Sequence, residues 1–206
     1  MWFPISLRYE FTKFQQVLFL SHFQKGDMAT RSQQTIDIRP AQNNDVAQVA
    51  ELGARVFSIT FGHSIPLPEL QAYLNKSYSI EATTKDLEDP MRNMIVARNQ
   101  KANIVGFALL TRGTTESCIT HLEGTIELQK LYVDPAYHGY GIGKRLANKL
   151  EEMAKDQGFR NIWLGVWEEN YKAQKVYEKL GYSVIGDHDF TIGEVVQTDL
   201  IMCKRV

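Results

Sequence analysis

The sequence predicts an α/β domain in which seven strands and four helices follow the order β-α-α-β-β-β-α-β-α-β-β. Three observations carry that prediction. Apolar residues switch between a period near 3.6 and a period of 2 in segments short enough to be single elements. Glycine, proline and asparagine stand at the switches. One strand also runs through a glycine-rich turn, Asp134 to Arg145 (DPAYHGYGIGKR), directly into a helix. With 206 residues and 44% apolar composition, the chain suffices for one well-buried domain and is short for two.

Residues 1–34 precede these elements. Their aromatics (Trp2, Phe3, Phe11, Phe14, Phe19, Phe23) surround one apolar run, Val17 to Leu20, too short for a signal-peptide core. Met28-Ala29-Thr30 reads as a second translation start. We therefore expect an accessory extension over 1–34, lying outside a functional domain of residues 35–206.

Within the domain, Ile36 to Arg39 alternates as a strand, and Asn43 or Asn44 caps a helix carrying Val46, Val49, Leu52, Val56 and Phe57. Pro66 and Pro68 introduce a second helix with Leu70, Tyr73 and Leu74. Asn93 to Arg98 and Ile104 to Thr111 read as strands around a polar turn, and a third strand runs from about Glu123 to Val133. Asp134-Pro135 stops it, because proline donates nothing to the ladder. The helix after the glycine turn carries Leu146, Leu150, Met153 and Ala154 and closes at Gly158. Ile162, Leu164 and Val166 alternate with Trp163 and Trp167 as a strand. Asn170 caps a helix with Ala173, Val176, Tyr177 and Leu180, ended by Gly181, and Tyr182 to Ile185 and Val195 to Met202 are the final strands.

Composition excludes several functional classes. With 23 basic and 24 acidic residues, neither nucleic acid nor a membrane surface is an expected partner. No segment approaches the roughly 20 apolar residues of a membrane span. Cys118 and Cys203 form no CxxC pattern and read as reduced thiols of a cytoplasmic protein. The five histidines have no metal-ligand spacing, so no metal is expected.

The glycine turn asks which phosphate it holds. It is not a dinucleotide fingerprint, since Lys144 stands where G-x-G-x-x-G needs its last glycine. It is not a Walker A loop either, because His138 and Arg145 occupy the first glycine and the hydroxyl position. A helix N-terminus nevertheless leaves backbone N–H groups unpaired and carries partial positive charge, and glycines let a bulky phosphate approach them.

Three motifs together resolve the question: Leu131-Tyr132-Val133-Asp134-Pro135, then His138-Gly139-Tyr140-Gly141-Ile142-Gly143, then Asn170-x-x-Ala173-x-x-x-Tyr177-x-x-x-Gly181-Tyr182. In order and spacing they resemble the GCN5-related N-acetyltransferase (GNAT) superfamily over residues 35–204, with His138 replacing the usual Gln or Arg. The resemblance implies a single-domain GNAT fold with a mixed, mostly antiparallel sheet of about seven strands flanked by four helices. It implies acetyl-CoA as co-substrate, its pyrophosphate on His138, Gly139, Tyr140, Gly141, Ile142, Gly143 and Lys144. The pantetheine arm would lie along Leu131, Tyr132 and Val133, with Asn170 and Ala173 contributing from the next helix. Lys144 and Arg145 read equally as phosphate-binding charges or as a solvated face. Tyr177 matches the general acid and Glu127 the general base, with Glu123 as runner-up. Possible homodimer formation also belongs to these expectations.

Further along, Trp163 to Asn170, Gly186 to Phe190 and Gln197 to Met202 are similar to the PaiA-type polyamine N-acetyltransferases, as are Phe57, Phe61, Tyr73 and Tyr78. That likeness implies a polyamine or other small primary amine as acceptor. Glu69, Glu81, Glu123, Glu127, Asp187 and Asp189 are the candidate carboxylates for it, and Tyr73, Tyr78 and Trp167 the candidate aromatic faces. A protein lysine or N-terminal acetyltransferase and a non-catalytic CoA-binding module stay open as alternatives.

Overall fold

In the computed structural model, which describes residues 35–206, strand β1 (Asp37–Pro40) leads into helix α1 (Val46–Phe61). The expected extension of residues 1–34 lies outside the described residues. At the entry to α1, the Asp45 carboxylate accepts from Arg39 at 2.7 Å and from the Gln42 backbone N–H at 2.8 Å. The Arg39 guanidinium holds that carboxyl below its ordinary range. One face of α1, with Val49, Leu52 and Val56, packs on Phe107 and Leu109.

Helices α2 (Leu67–Ser77) and α3 (Ile80–Glu88) follow. The second of the four expected helical stretches is thus two helices, broken where Tyr78 leaves helical geometry and Ser79 caps α3 by accepting from Ala82 N–H. Only Thr83 and Asp86 of α3 are buried, so it has no apolar stripe for periodicity to find.

Strands β2 (Arg92–Arg98), β3 (Ile104–Thr111) and β4 (Thr125–Val133) form an antiparallel meander with β1. Helix α4 (Ile142–Asp156), strand β5 (Asn161–Trp167), helix α5 (Tyr171–Lys179) and the hairpin of β6 (Ser183–Ile192) and β7 (Val195–Arg205) complete the domain. The sheet order is β1-β2-β3-β4-β5-β7-β6, antiparallel throughout except for the β4–β5 pair. Strand β6 extends past the expected Ile185 because the edge of the sheet tolerates exposed Asp187 and Asp189 between inward His188 and Phe190. Under the sheet, α4 buries Ile142, Leu146, Leu150 and Ala154. Each large aliphatic side chain buried there stabilises the fold by about 1.5–3 kcal/mol.

Two irregularities position the site. The β4–β5 pairing ends at Glu127↔Trp163; beyond it β4 continues against β3 and β5 against β7, so the two strands part. In β4, Lys130 pairs with Leu109 and Leu128 with Leu110, leaving Gln129 as an extra residue. The bulge reverses the alternation. Ile126 and Leu128, then Leu131 and Val133, pack on the α4 side. Glu127, then Lys130 and Tyr132, occupy the opposite face, where Tyr132 meets Phe107 and Tyr78.

Candidate active site

Where β4 and β5 part, a cleft of about 1410 Å³ opens, running from the glycine turn to the inner face of the β6–β7 hairpin. At one end Gly139 and Gly141 adopt φ of +83° and +73°, the left-handed region that favours glycine. Gly141 is the N-cap of α4 and supplies no side chain, and the first helical bond runs from Arg145 N–H to Gly141 C=O. The N–H groups of Ile142, Gly143 and Lys144 therefore lack helical partners. A Cβ built on Gly139 or Gly141 would meet nothing within 4 Å, and one on Gly143 only Val133 Cγ2 at 3.7 Å. Open space above unpaired donors at a helix N-terminus suits a pyrophosphate.

The residues expected around this turn divide. His138, Gly139, Gly141, Gly143 and Lys144 line the cleft. His138 Nε2 also sits 3.1 Å from the Val133 carbonyl, tying the turn to the end of β4. Ile142 is 1% exposed, a core residue that also borders the cleft. Tyr140 does not line the cleft; its ring is half exposed and lies beside Tyr137. Arg145 turns away and donates to the Ile36 carbonyl at 2.7 Å, which removes it from the phosphate-binding expectation.

Leu131, Tyr132 and Val133 form one wall and Gly165, Val166 and Trp167 the other. Helix α5 closes the gap with Asn170, Ala173 and Tyr177. Asn170 Oδ1 accepts from Ala173 N–H at 3.2 Å, the expected N-cap. Tyr177 packs edge-on to Tyr182, and burial pushes its phenol up to about 12.

Beyond the point of splaying, Glu127 enters the cleft half-buried. Burial raises its carboxyl above the ordinary range, Glu116 adds to the rise, and the neighbouring Thr114 hydroxyl draws it partly back. Among the described residues Thr114 Oγ1 forms no hydrogen bond of full geometry, and Trp163 Nε1, on the residue paired with Glu127, is likewise buried without a partner. Aromatic rings cover this end. Phe57 stacks on Tyr73 at 4.6 Å, Phe61 meets Trp167 at 5.5 Å, and the Tyr78 and Tyr132 hydroxyls are 2.6 Å apart. Asp86 is shared by Arg92 and Lys130 at the same end.

The expected carboxylates fare unevenly. Glu123 is 88% exposed, pairs with Arg160 and lies outside the cleft, so it is no alternative base. Glu81 pairs with Lys85 on the surface of α3, Glu69 accepts from Glu194 N–H, and Asp187 and Asp189 point outward from β6. Of the six, Glu127 alone lines the cleft. The structure supplies others: Glu116 from the β3–β4 loop, and Asp199, which pairs in register with His188. Register across a hairpin was the only signal for that last pair. Tyr73, Tyr78 and Trp167 face the cleft as expected.

Comparison with known proteins decides the family. Residues 61–182 match the model of the acetyltransferase (GNAT) family. The chain belongs to that family. An uncharacterized N-acetyltransferase of Mycobacterium tuberculosis is 30% identical over 162 residues, covering 79% of this chain and 98% of that protein. The spermine/spermidine N(1)-acetyltransferase of Bacillus subtilis is 24% identical over 153 residues, covering 72% of this chain and all of that protein. Among solved structures, the PaiA N-acetyltransferase of Thermoplasma acidophilum in complex with coenzyme A covers 84% of this chain and 99% of its own, with TM-score 0.67 and 22% identity. This GNAT chain is accordingly an acetyl-CoA-dependent N-acetyltransferase with the family's seven-stranded open sheet. Among the described residues no helix is long and apolar enough to cross a membrane.

Proposed function

We propose that this acetyltransferase moves the acetyl group to a small cationic primary amine, a polyamine foremost, by direct transfer in a ternary complex. The observation that carries the reading is a single cleft with a phosphate-sized bay at one end and Glu127, Glu116 and Asp199 under an aromatic cover at the other. Carboxylates and ring faces suit ammonium groups and methylene spacers. The Bacillus subtilis relative named for spermine and spermidine supports the same class.

The proposed division of labour follows the walls. The unpaired N–H groups of α4 hold the pyrophosphate, with His138, Gly139, Gly141, Gly143 and Lys144 around it. The pantetheine arm extends along Leu131, Tyr132 and Val133 and meets Asn170 and Ala173, as an added strand would. Glu127 takes a proton from the acceptor ammonium, and the freed amine attacks the thioester carbonyl, polarised by a backbone N–H near Leu131. The carbon–sulfur bond breaks, the departing thiolate takes the Tyr177 proton, and the second proton lost by the acylated nitrogen restores the phenol. Burial keeps that phenol neutral, as a donor must be. Among the described residues no cysteine lines the cleft, which favours direct transfer over an acyl-enzyme. Residues 35–206 carry the activity in this reading, and 1–34 are accessory.

Thiol release from acetyl-CoA, measured with polyamines, aminoglycosides, amino acids and lysine peptides, tests the acceptor. Turnover highest with spermidine or spermine is the expected outcome. Turnover confined to peptides would replace the reading with a protein acetyltransferase, and CoA binding without turnover on any amine would remove catalysis.

A further inference from the structure

Of the two imidazoles lining the cleft, His138 stands at the glycine turn and His188 among the carboxylates, in a specific setting. His188 Nδ1 lies 2.9 Å from Glu116 Oε1, while Nε2 lies 4.0 Å from Asp199 Oδ2, beyond hydrogen-bond reach. Glu116 from the β3–β4 loop, His188 from β6 and Asp199 from β7 line the cleft together with Glu127 from β4. A carboxylate bound at one ring nitrogen fixes the tautomer: Nδ1 keeps its hydrogen and Nε2 presents a lone pair. If Nε2 then takes a proton, the imidazolium sits between Glu116 and Asp199.

We infer that His188 is the group that carries the acceptor's proton out of the cleft, oriented by Glu116 and charge-compensated by Asp199. The inference rests on the acetyl-transfer reading with Glu127 as first base. The nitrogen loses two protons, of which the second restores the Tyr177 phenol and the first leaves by the relay. The ammonium gives its proton to the Glu127 carboxylate, Glu127 passes it to His188 Nε2, and the imidazolium releases the Nε2 proton to solvent. The carboxylate and the neutral imidazole are thereby restored for the next turnover. His188 acts through Glu127 and is a positioning and relay residue, whereas Glu127 meets the amine itself. Imidazole suits the second station because it is the side chain that changes charge between pH 5 and 8.

The test uses the full chain, acetyl-CoA and spermidine, and compares His188→Gln, His188→Ala, Glu116→Gln and Glu127→Gln across pH. His188→Gln is expected to lower kcat by ~10- to 100-fold, with the KM for acetyl-CoA unchanged and the acidic limb set by Glu127 retained. Added imidazole should restore part of the His188→Ala rate, which a purely structural role would not allow. Glu116→Gln should lower kcat by about tenfold through loss of ring orientation. An unchanged kcat in His188→Gln overturns the His188 role and leaves Glu127 as base. A limb erased by His188→Gln and retained in Glu127→Gln overturns the relay, because it makes His188 the base and removes Glu127. A loss in His188→Ala without imidazole rescue also overturns the inference.

Discussion

Glu127 and Val133 stand six residues apart on one strand and face opposite sides of the sheet, because Gln129 is an extra residue between them. In an unbroken strand, residues an even number apart share a face. The bulge lets β4 send Val133 toward α4, beside Gly143, while Glu127 enters the far end of the cleft.

The first prediction concerns that carboxylate. Burial raises the Glu127 pKa, and a base works only when ionised, so kcat/KM should fall as pH drops through the raised value. Glu127→Gln should lower kcat by ~100- to 10,000-fold and leave a rate flat toward acid pH. Steady-state pH profiles of both proteins check it.

Tyr177→Phe removes one hydroxyl from a ring that otherwise keeps its packing beside Tyr182. Turnover should drop by ~10- to 1000-fold, with acetyl-CoA affinity within about twofold of the parent. Calorimetric titration with acetyl-CoA separates the two effects, and unchanged turnover would discard the general-acid role.

Gly143→Val probes the bay more cleanly than a change at Gly139 or Gly141, whose positive φ would strain any side chain. At Gly143 the protein leaves room for a Cβ, so stability should hold while bound phosphate is obstructed. A loss of about 1.4–3 kcal/mol in binding corresponds to a Kd for CoA raised by ~10- to 150-fold. An unaltered Kd would move the pyrophosphate elsewhere.

Asp86→Ala leaves the Arg92 guanidinium and the Lys130 ammonium without their shared partner. The Lys130 side chain is 15% exposed and stands 5.0 Å over the Tyr78 ring, so the stranded charge is poorly hydrated. Unfolding in urea should show a loss of about 3 kcal/mol. A loss below about 1 kcal/mol would class the trio with ordinary surface pairs.

Legibility in the sequence follows the range of the interactions. The glycine turn, the Asn170 cap and the stripe of α4 are local, set by backbone freedom and by spacing within a few residues, and all three appear in the structure where expected. Helix α3 escaped because tertiary contacts hold a polar segment that has no apolar stripe of its own. Glu123 stood as runner-up to Glu127 until the fold left it beside Arg160.

By itself the sequence determined the order of the strands and of every long helix but α3, and the site of the open helix N-terminus. Those depend on dihedral preference and periodicity, which act along the chain. Only the tertiary structure decided which carboxylates share the cleft. Glu116, Glu127, His188 and Asp199 span more than 80 residues and meet through a strand bulge, a parallel pairing that stops at Trp163 and the register of an edge hairpin. Those three features arise from hydrogen bonds between strands, and spacing along one chain carries no record of them.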